Sequence, residues 1–140
     1  NMADYWQHWI HLGQQHKGQL PKIFYVNWFR KDAQGRFMWP GFGENSRVLK
    51  WIFERCQGTA SAVSTPIGKL PTLDSIDFSG LNMTDEEIAS LLRVEIQGWL
   101  EELPLIRDYY QQFGDKLPTE LNHQLNQMQQ KLEAATQSAS

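Results

Sequence analysis

Phe29, Phe37, Phe42 and Asn45 are the residues of this chain best suited to holding a planar ring. An aromatic face stacks on a nucleobase for roughly 1–3 kcal/mol once water is excluded, and a carboxamide offers both a donor and an acceptor to a base edge. All four lie in one run, "NWFRKDAQGRFMWPGFGEN", from Asn27 to Asn45. Composition favours a competing reading of the rings as core, because large aromatics mostly bury, and Asn45 reads equally well as a helix cap. Trp28 and Trp39 read as packing residues for the same run.

Other groups that could do chemistry have plainer explanations. Two glycines in "GFGEN" would expose backbone N–H groups at a helix start, where an anion is favoured. The full phosphate loop is absent, since Gly68-Lys69 is followed by Leu70. His8 and His11 share a helical spacing, but no acidic or Cys partner stands at metal-ligand spacing, and no metal site is expected. Cys56 falls on an apolar stripe and reads as an inert buried thiol. Asp85-Glu86-Glu87 suits the first turn of a helix, and Glu101-Glu102 a solvated face. No catalytic residue is assigned.

These residues must be positioned by a small set of elements. "DYWQHWIHLGQQ" puts Tyr5, Trp6, Trp9, Ile10 and Leu12 at helical spacing, ended by Gly18 and Pro21. "KIFYVNWF" predicts a strand from Lys22 to Phe29, joined through the turn-forming Asp32 and Gly35 to "FMW" as a hairpin. "NSRVLKWIFERCQG" predicts a helix capped by Asn45 or Ser46, with a stripe of Val48, Leu49, Ile52 and Cys56, stopped at Gly58. Residues 59–80 read as an ordered loop. Thr84 and Glu87 form a capping-box pattern, and the apolar face runs on through Ile88, Leu91, Leu92, Ile96, Trp99 and Leu103. Pro104 marks a kink or a new helix with Ile106, Tyr109, Tyr110 and Phe113 on its face, and Gly114 ends it. From Pro118 a last helix carries Leu121, Leu125, Met128 and Leu132, dissolving into "AATQSAS"; the terminal helices thus occupy 84–135.

With 140 residues the chain can bury one core, and its formal charge of −3 argues against a dedicated nucleic-acid binder. One cysteine permits no internal disulfide. No apolar run approaches the ~20 residues that span a bilayer, and the first residues lack the pattern of a secretory signal. A cytoplasmic protein without membrane or nucleic-acid partners is the expectation.

Leu20 to Gly58, "LPKIFYVNWFRKDAQGRFMWPGFGENSRVLKWIFERCQG", closely resembles the C-terminal part of GTP-dependent phosphoenolpyruvate carboxykinase. "YWQHW" before it, "TPIG" (Thr65 to Gly68) after it, and "IRDYY" further on resemble the same family's flanking motifs. Tyr25 stands where the family usually has His, and Met2-Ala3 where it has Phe-Gly. The resemblance implies a predominantly helical α+β fold, a short hairpin packed with about five helices, within the C-terminal nucleotide-binding domain. It also implies residues 1–140 as a single-domain portion of the parent, with 20–58 as its guanine-pocket segment.

By the same resemblance, Phe29 and Phe42 flank guanine, Phe37 closes its side, and Asn45 reads its edge, with Gly43 and Glu44 in the same turn. The family converts oxaloacetate and GTP to phosphoenolpyruvate, GDP and carbon dioxide in gluconeogenesis, using manganese or magnesium. Its phosphate loop, metal ligands and substrate arginines lie upstream, so this chain reads as a fragment without catalysis of its own. The parent is expected to be a monomer, and exposed former interfaces favour association of the fragment. Two rivals are a stand-alone helical interaction module and a single-strand nucleic-acid binder using Trp28, Phe29, Arg30 and Lys31.

Overall fold

The computed structural model describes residues 1–16, 18 and 20–138, which gather into two compact units, Asn1–Pro21 with Glu95–Ser140, and Lys22–Val94. In chain order the helices are α1 (Met2–Gln15), α2 (Asn45–Gln57), α3 (Asp85–Leu92), α4 (Ile96–Gln111) and α5 (Thr119–Ser138). Strands β1 (Val63–Thr65) and β2 (Gly68–Leu70) lie between α2 and α3. The chain is thus mostly helical with one short antiparallel hairpin, in keeping with the fold class read from sequence.

The first unit is helical. Asn1 starts α1 by accepting the Ala3 amide on its side chain, and the Asp4 carboxylate in the first turn suits the helix dipole. The Trp6 ring meets Phe113 edge to face, 4.8 Å between centroids, with Tyr109 and Tyr110 around it. Partial burial in this cluster raises the Tyr110 phenol pKa. α4 packs on α5, and the unit buries Ala3, Leu103, Leu125 and Leu132. Arg107 joins the two helices by donating to Asn126 and Gln129.

Three expectations change here. The helix begun at Thr84 does not continue to Leu103, because Arg93 is extended and ends α3. Pro104 neither starts nor breaks a helix: α4 runs through it, and its ring is exposed, so loss of one backbone bond is tolerated in a helix held by packing. α5 stays helical through Ser138 instead of fading at Ala134, since nothing in "AATQS" breaks a helix. Lys17, Gln19, Ala139 and Ser140 lie outside the described residues.

In the second unit the expected strand from Lys22 to Phe29 forms no ladder among the described residues, and Trp28 and Phe29 lie in a turn. It keeps the period of a strand, with Phe24, Val26 and Trp28 half-buried and Ile23, Tyr25 and Phe29 exposed. The predicted hairpin reduces to a single bridge between Lys31 and Phe37. The true hairpin falls inside residues 59–80, which sequence assigns to a loop. There Val63, Ser64 and Thr65 pair with Leu70, Lys69 and Gly68 across Pro66-Ile67.

The unit buries Trp39, Trp51, Ile76 and Ile88. Phe24 meets Trp51 edge to face, and the Trp51 indole donates to the Ser61 carbonyl. Trp51 rather than the expected Leu49 is therefore the anchor of α2; Leu49 and Cys56 are both exposed, and the thiol is not a core group. Gly58 ends α2 in the left-handed conformation, as expected, and the Lys22 ammonium donates to the last carbonyls, at Arg55 and Cys56. The capping box of α3 is present in both directions, Glu87 N–H to Thr84 Oγ1 and Thr84 N–H to the Glu87 carboxylate.

Candidate nucleobase site

The turn from Lys31 to Phe37 is closed by Asp32. One carboxylate oxygen accepts the Gln34 and Arg36 amides at 2.9 Å each, and the other accepts Arg36 Nε at 2.8 Å. The Gly35 amide donates to the Asp32 carbonyl, and Gly35, at φ 79°, supplies the left-handed step that turns the chain into Arg36. The Arg36 amide, foremost, with its guanidinium and the Gln34 amide, holds the Asp32 carboxyl below the usual carboxylate range. Backbone bonds Asp32 N–H to Arg36 O and Met38 N–H to Arg30 O complete the reversal.

That turn brings Phe29 and Phe37 together, 6.1 Å between centroids at 63°. The Lys31 ammonium lies 5.1 Å from the Phe37 centroid, a favourable cation–π position. Phe29, Phe37 and Phe42 are 73%, 60% and 98% exposed, so the reading of these rings as core is wrong. The packing residue is Trp39, only 5% exposed, with Trp28 half-buried. Among the described aromatic pairs, Phe42 joins neither of the other two rings. It sits at φ 47°, a left-handed conformation that side chains other than Gly avoid.

Asn45 is the first residue of α2 and does not cap it, nor does Ser46. Its side-chain oxygen accepts the Trp39 indole N–H at 2.8 Å, and Ser46 Oγ donates to the Gly43 carbonyl. Phe42, Gly43 and Glu44 form a single 3-10 turn leading into the helix. Arg47 fixes that turn by pairing with the Glu44 carboxylate while donating to the Asp77 carbonyl. Arg30 similarly donates to the Leu91 and Arg93 carbonyls at the end of α3.

Two concavities accompany these groups. One of about 390 Å³ borders Phe37, Arg36, Asp32 and Met83; the other, about 910 Å³, lies among Lys50, Glu54, Asp77 and Asp85. Phe29, Phe42 and Asn45 line neither, and the three phenylalanines stand as a largely exposed platform. Among the described residues no three His, Cys, Asp or Glu side chains converge as a metal would require. His11 instead meets Gln15, and His123 meets Gln127. Among the described residues no helix is long and apolar enough to cross a membrane.

The family profile described as phosphoenolpyruvate carboxykinase C-terminal P-loop domain matches residues 1–131. The chain belongs to the GTP-dependent phosphoenolpyruvate carboxykinase family. Similar relatives in this carboxykinase family include the phosphoenolpyruvate carboxykinase (GTP) of Treponema pallidum strain Nichols, 48% identical over 134 residues, 94% of this chain. Those of Paenarthrobacter aurescens and Renibacterium salmoninarum are 48% and 47% identical over 131 residues, 93% of this chain. In each comparison the match spans only 22% of the carboxykinase relative's length.

Sequence reasoning named the three phenylalanines and Asn45 but missed the contacts made around them. The Trp39–Asn45 bond, the Lys31–Phe37 contact and the clamps made by Arg30 and Arg47 join positions with no motif spacing. The Asp32 to Arg36 turn was the one support whose signal, Asp followed by Gly three residues on, was readable.

Proposed function

We propose that this chain is the guanine-holding portion of an enzyme that converts oxaloacetate and GTP to phosphoenolpyruvate, GDP and carbon dioxide. Phe29 and Phe42 flank the base, Phe37 bounds its side, and Asn45 reads its edge from the Gly43-Glu44 turn. What supports this reading is the exposure of three phenylalanines within one short run, two of them in ring contact, an expense of apolar surface that a ligand ring would cover. The strained backbone of Phe42 points the same way, since such conformations gather at ligand sites.

The chain's part in catalysis is binding and orientation: it fixes the base, and through it the direction in which the nucleotide's phosphates leave the platform. Among the described residues no donor set fits the manganese or magnesium of the family. Phosphoryl transfer and decarboxylation belong to the remainder of a cytoplasmic, gluconeogenic parent. The chain alone therefore lacks turnover and binds GTP weakly, because stacking without phosphate contacts forgoes the strongest charge-assisted bonds. In the parent-length enzyme, Phe29→Ala and Phe42→Ala should each raise the Kd for GDP while changing the KM for oxaloacetate less. Unchanged guanine affinity in both variants refutes the site.

A further inference from the structure

We propose that Trp39 is a positioning residue that fixes the Asn45 carboxamide so that its amino group is the part left to read a purine. The site then selects a base carrying a carbonyl oxygen at its six-position. The inference rests on Asn45 as the base reader. An indole N–H donates and never accepts, so the Asn45 atom 2.8 Å from Trp39 Nε1 has to be the oxygen.

Neither partner is free to exchange roles. Trp39 is buried, and Asn45 is anchored by its backbone as the first residue of α2. A side-chain amide without such a partner could present either end to a ligand; here the oxygen is engaged and the Nδ2 hydrogens remain. A purine six-position carbonyl accepts from them, whereas the adenine six-amino group would set donor against donor. A mismatch that leaves polar groups unpaired discriminates more strongly than a lost apolar contact.

The test is the ratio of GDP to ADP affinity in the parent-length enzyme, by calorimetry. Trp39→Phe keeps the packed ring and removes the donor; the ratio should fall about tenfold, the effect of one hydrogen bond. The same change in an Asn45→Ala background should have no further effect on the ratio. An unchanged ratio in Trp39→Phe, or an equal loss in both backgrounds, overturns the role of Trp39.

Asn45→Asp serves where Trp39→Phe fails to fold. The carboxylate still accepts the indole N–H but has no hydrogens to give, so preference should move from GDP toward ADP. The ratio cancels the effect of the new charge on phosphates common to both nucleotides. Retained guanine preference in Asn45→Asp overturns the proposal while leaving the stacking platform intact. A ratio unaffected by Asn45→Ala removes Asn45 as the reader, and the inference falls with it.

Discussion

Phe29 and Phe37 meet edge to face at 6.1 Å, on either side of a turn whose closure depends on the Asp32 carboxylate. The two rings are exposed, yet their relative placement is set by buried or bonded neighbours: the Lys31–Phe37 bridge, the Asp32 turn and the Trp39 anchor. A platform of this kind keeps apolar area in water until a ring covers it. Loss of either phenylalanine should therefore cost ligand affinity and little folding stability.

For Phe29→Ala in the parent-length enzyme, one stacking contact is lost, and GDP affinity should fall by roughly 1–3 kcal/mol. Calorimetric titration with GDP checks the magnitude. Chemical denaturation of the same variant should move by less than about 1 kcal/mol, because this side chain buries little within the chain. A variant that loses stability and affinity together would place Phe29 in the core after all.

Phe42 allows a sharper separation. Its φ of 47° costs a side-chain-bearing residue roughly 1–2 kcal/mol, whereas glycine there would lose about 0.5–1 kcal/mol in unfolded-state entropy. Since Phe42 is almost wholly exposed, no burial offsets that strain. Phe42→Gly should fold as stably as the original or up to about 1.5 kcal/mol more so, yet bind GDP more weakly. Denaturation midpoints and GDP titrations on one preparation test both halves; a marked loss of stability would contradict the strain argument.

The Asp32 turn should respond to acid. Its folded pKa lies below the unfolded one, so the carboxylate's contribution to stability is complete above the unfolded value, about pH 4, and is lost as pH falls through the lowered value. Asn in its place can still accept the Gln34 and Arg36 amides but cannot ionise or pair with Arg36. Asp32→Asn should flatten the acid limb of stability and leave the profile near pH 7 similar in shape. Carboxyl resonances followed by NMR between pH 2 and 6, roughly the range of carboxylate titration, provide the direct check, and an Asp32 midpoint at the ordinary value contradicts it.

Local signals were legible and partner-dependent ones were not. Gly58, the Thr84–Glu87 box and the stripe through Leu125 and Leu132 are each decided by residues within a turn or two, and each stands as read. "KIFYVNWF" carries the alternation of a strand, but a strand exists only where another segment supplies its ladder, and none of the described residues does. β1 and β2 are three residues each, too short to rise above the Pro- and Gly-rich composition around them. The exposure of Phe29, Phe37 and Phe42 was not legible, because composition speaks for burial. The alternation itself held the missing clue, placing Phe29 on the same bare side as Ile23 and Tyr25.

That bare side leads to the last prediction. Ile23 and Tyr25 are 93% and 94% exposed on a segment whose backbone groups enter no described ladder, and unpaired backbone beside apolar side chains is open to pairing with other chains. Leu49 and Phe53, four residues apart on α2, add a second exposed apolar pair. Sedimentation of the isolated chain should show concentration-dependent association, and Ile23→Lys with Tyr25→Lys should reduce it, since charges on an open edge disfavour pairing. Circular dichroism of the double variant should keep its helical signal, because neither side chain is packed within the chain. Equal association before and after substitution would shift the contact to Leu49 and Phe53, and Leu49→Glu would then be the variant that abolishes it.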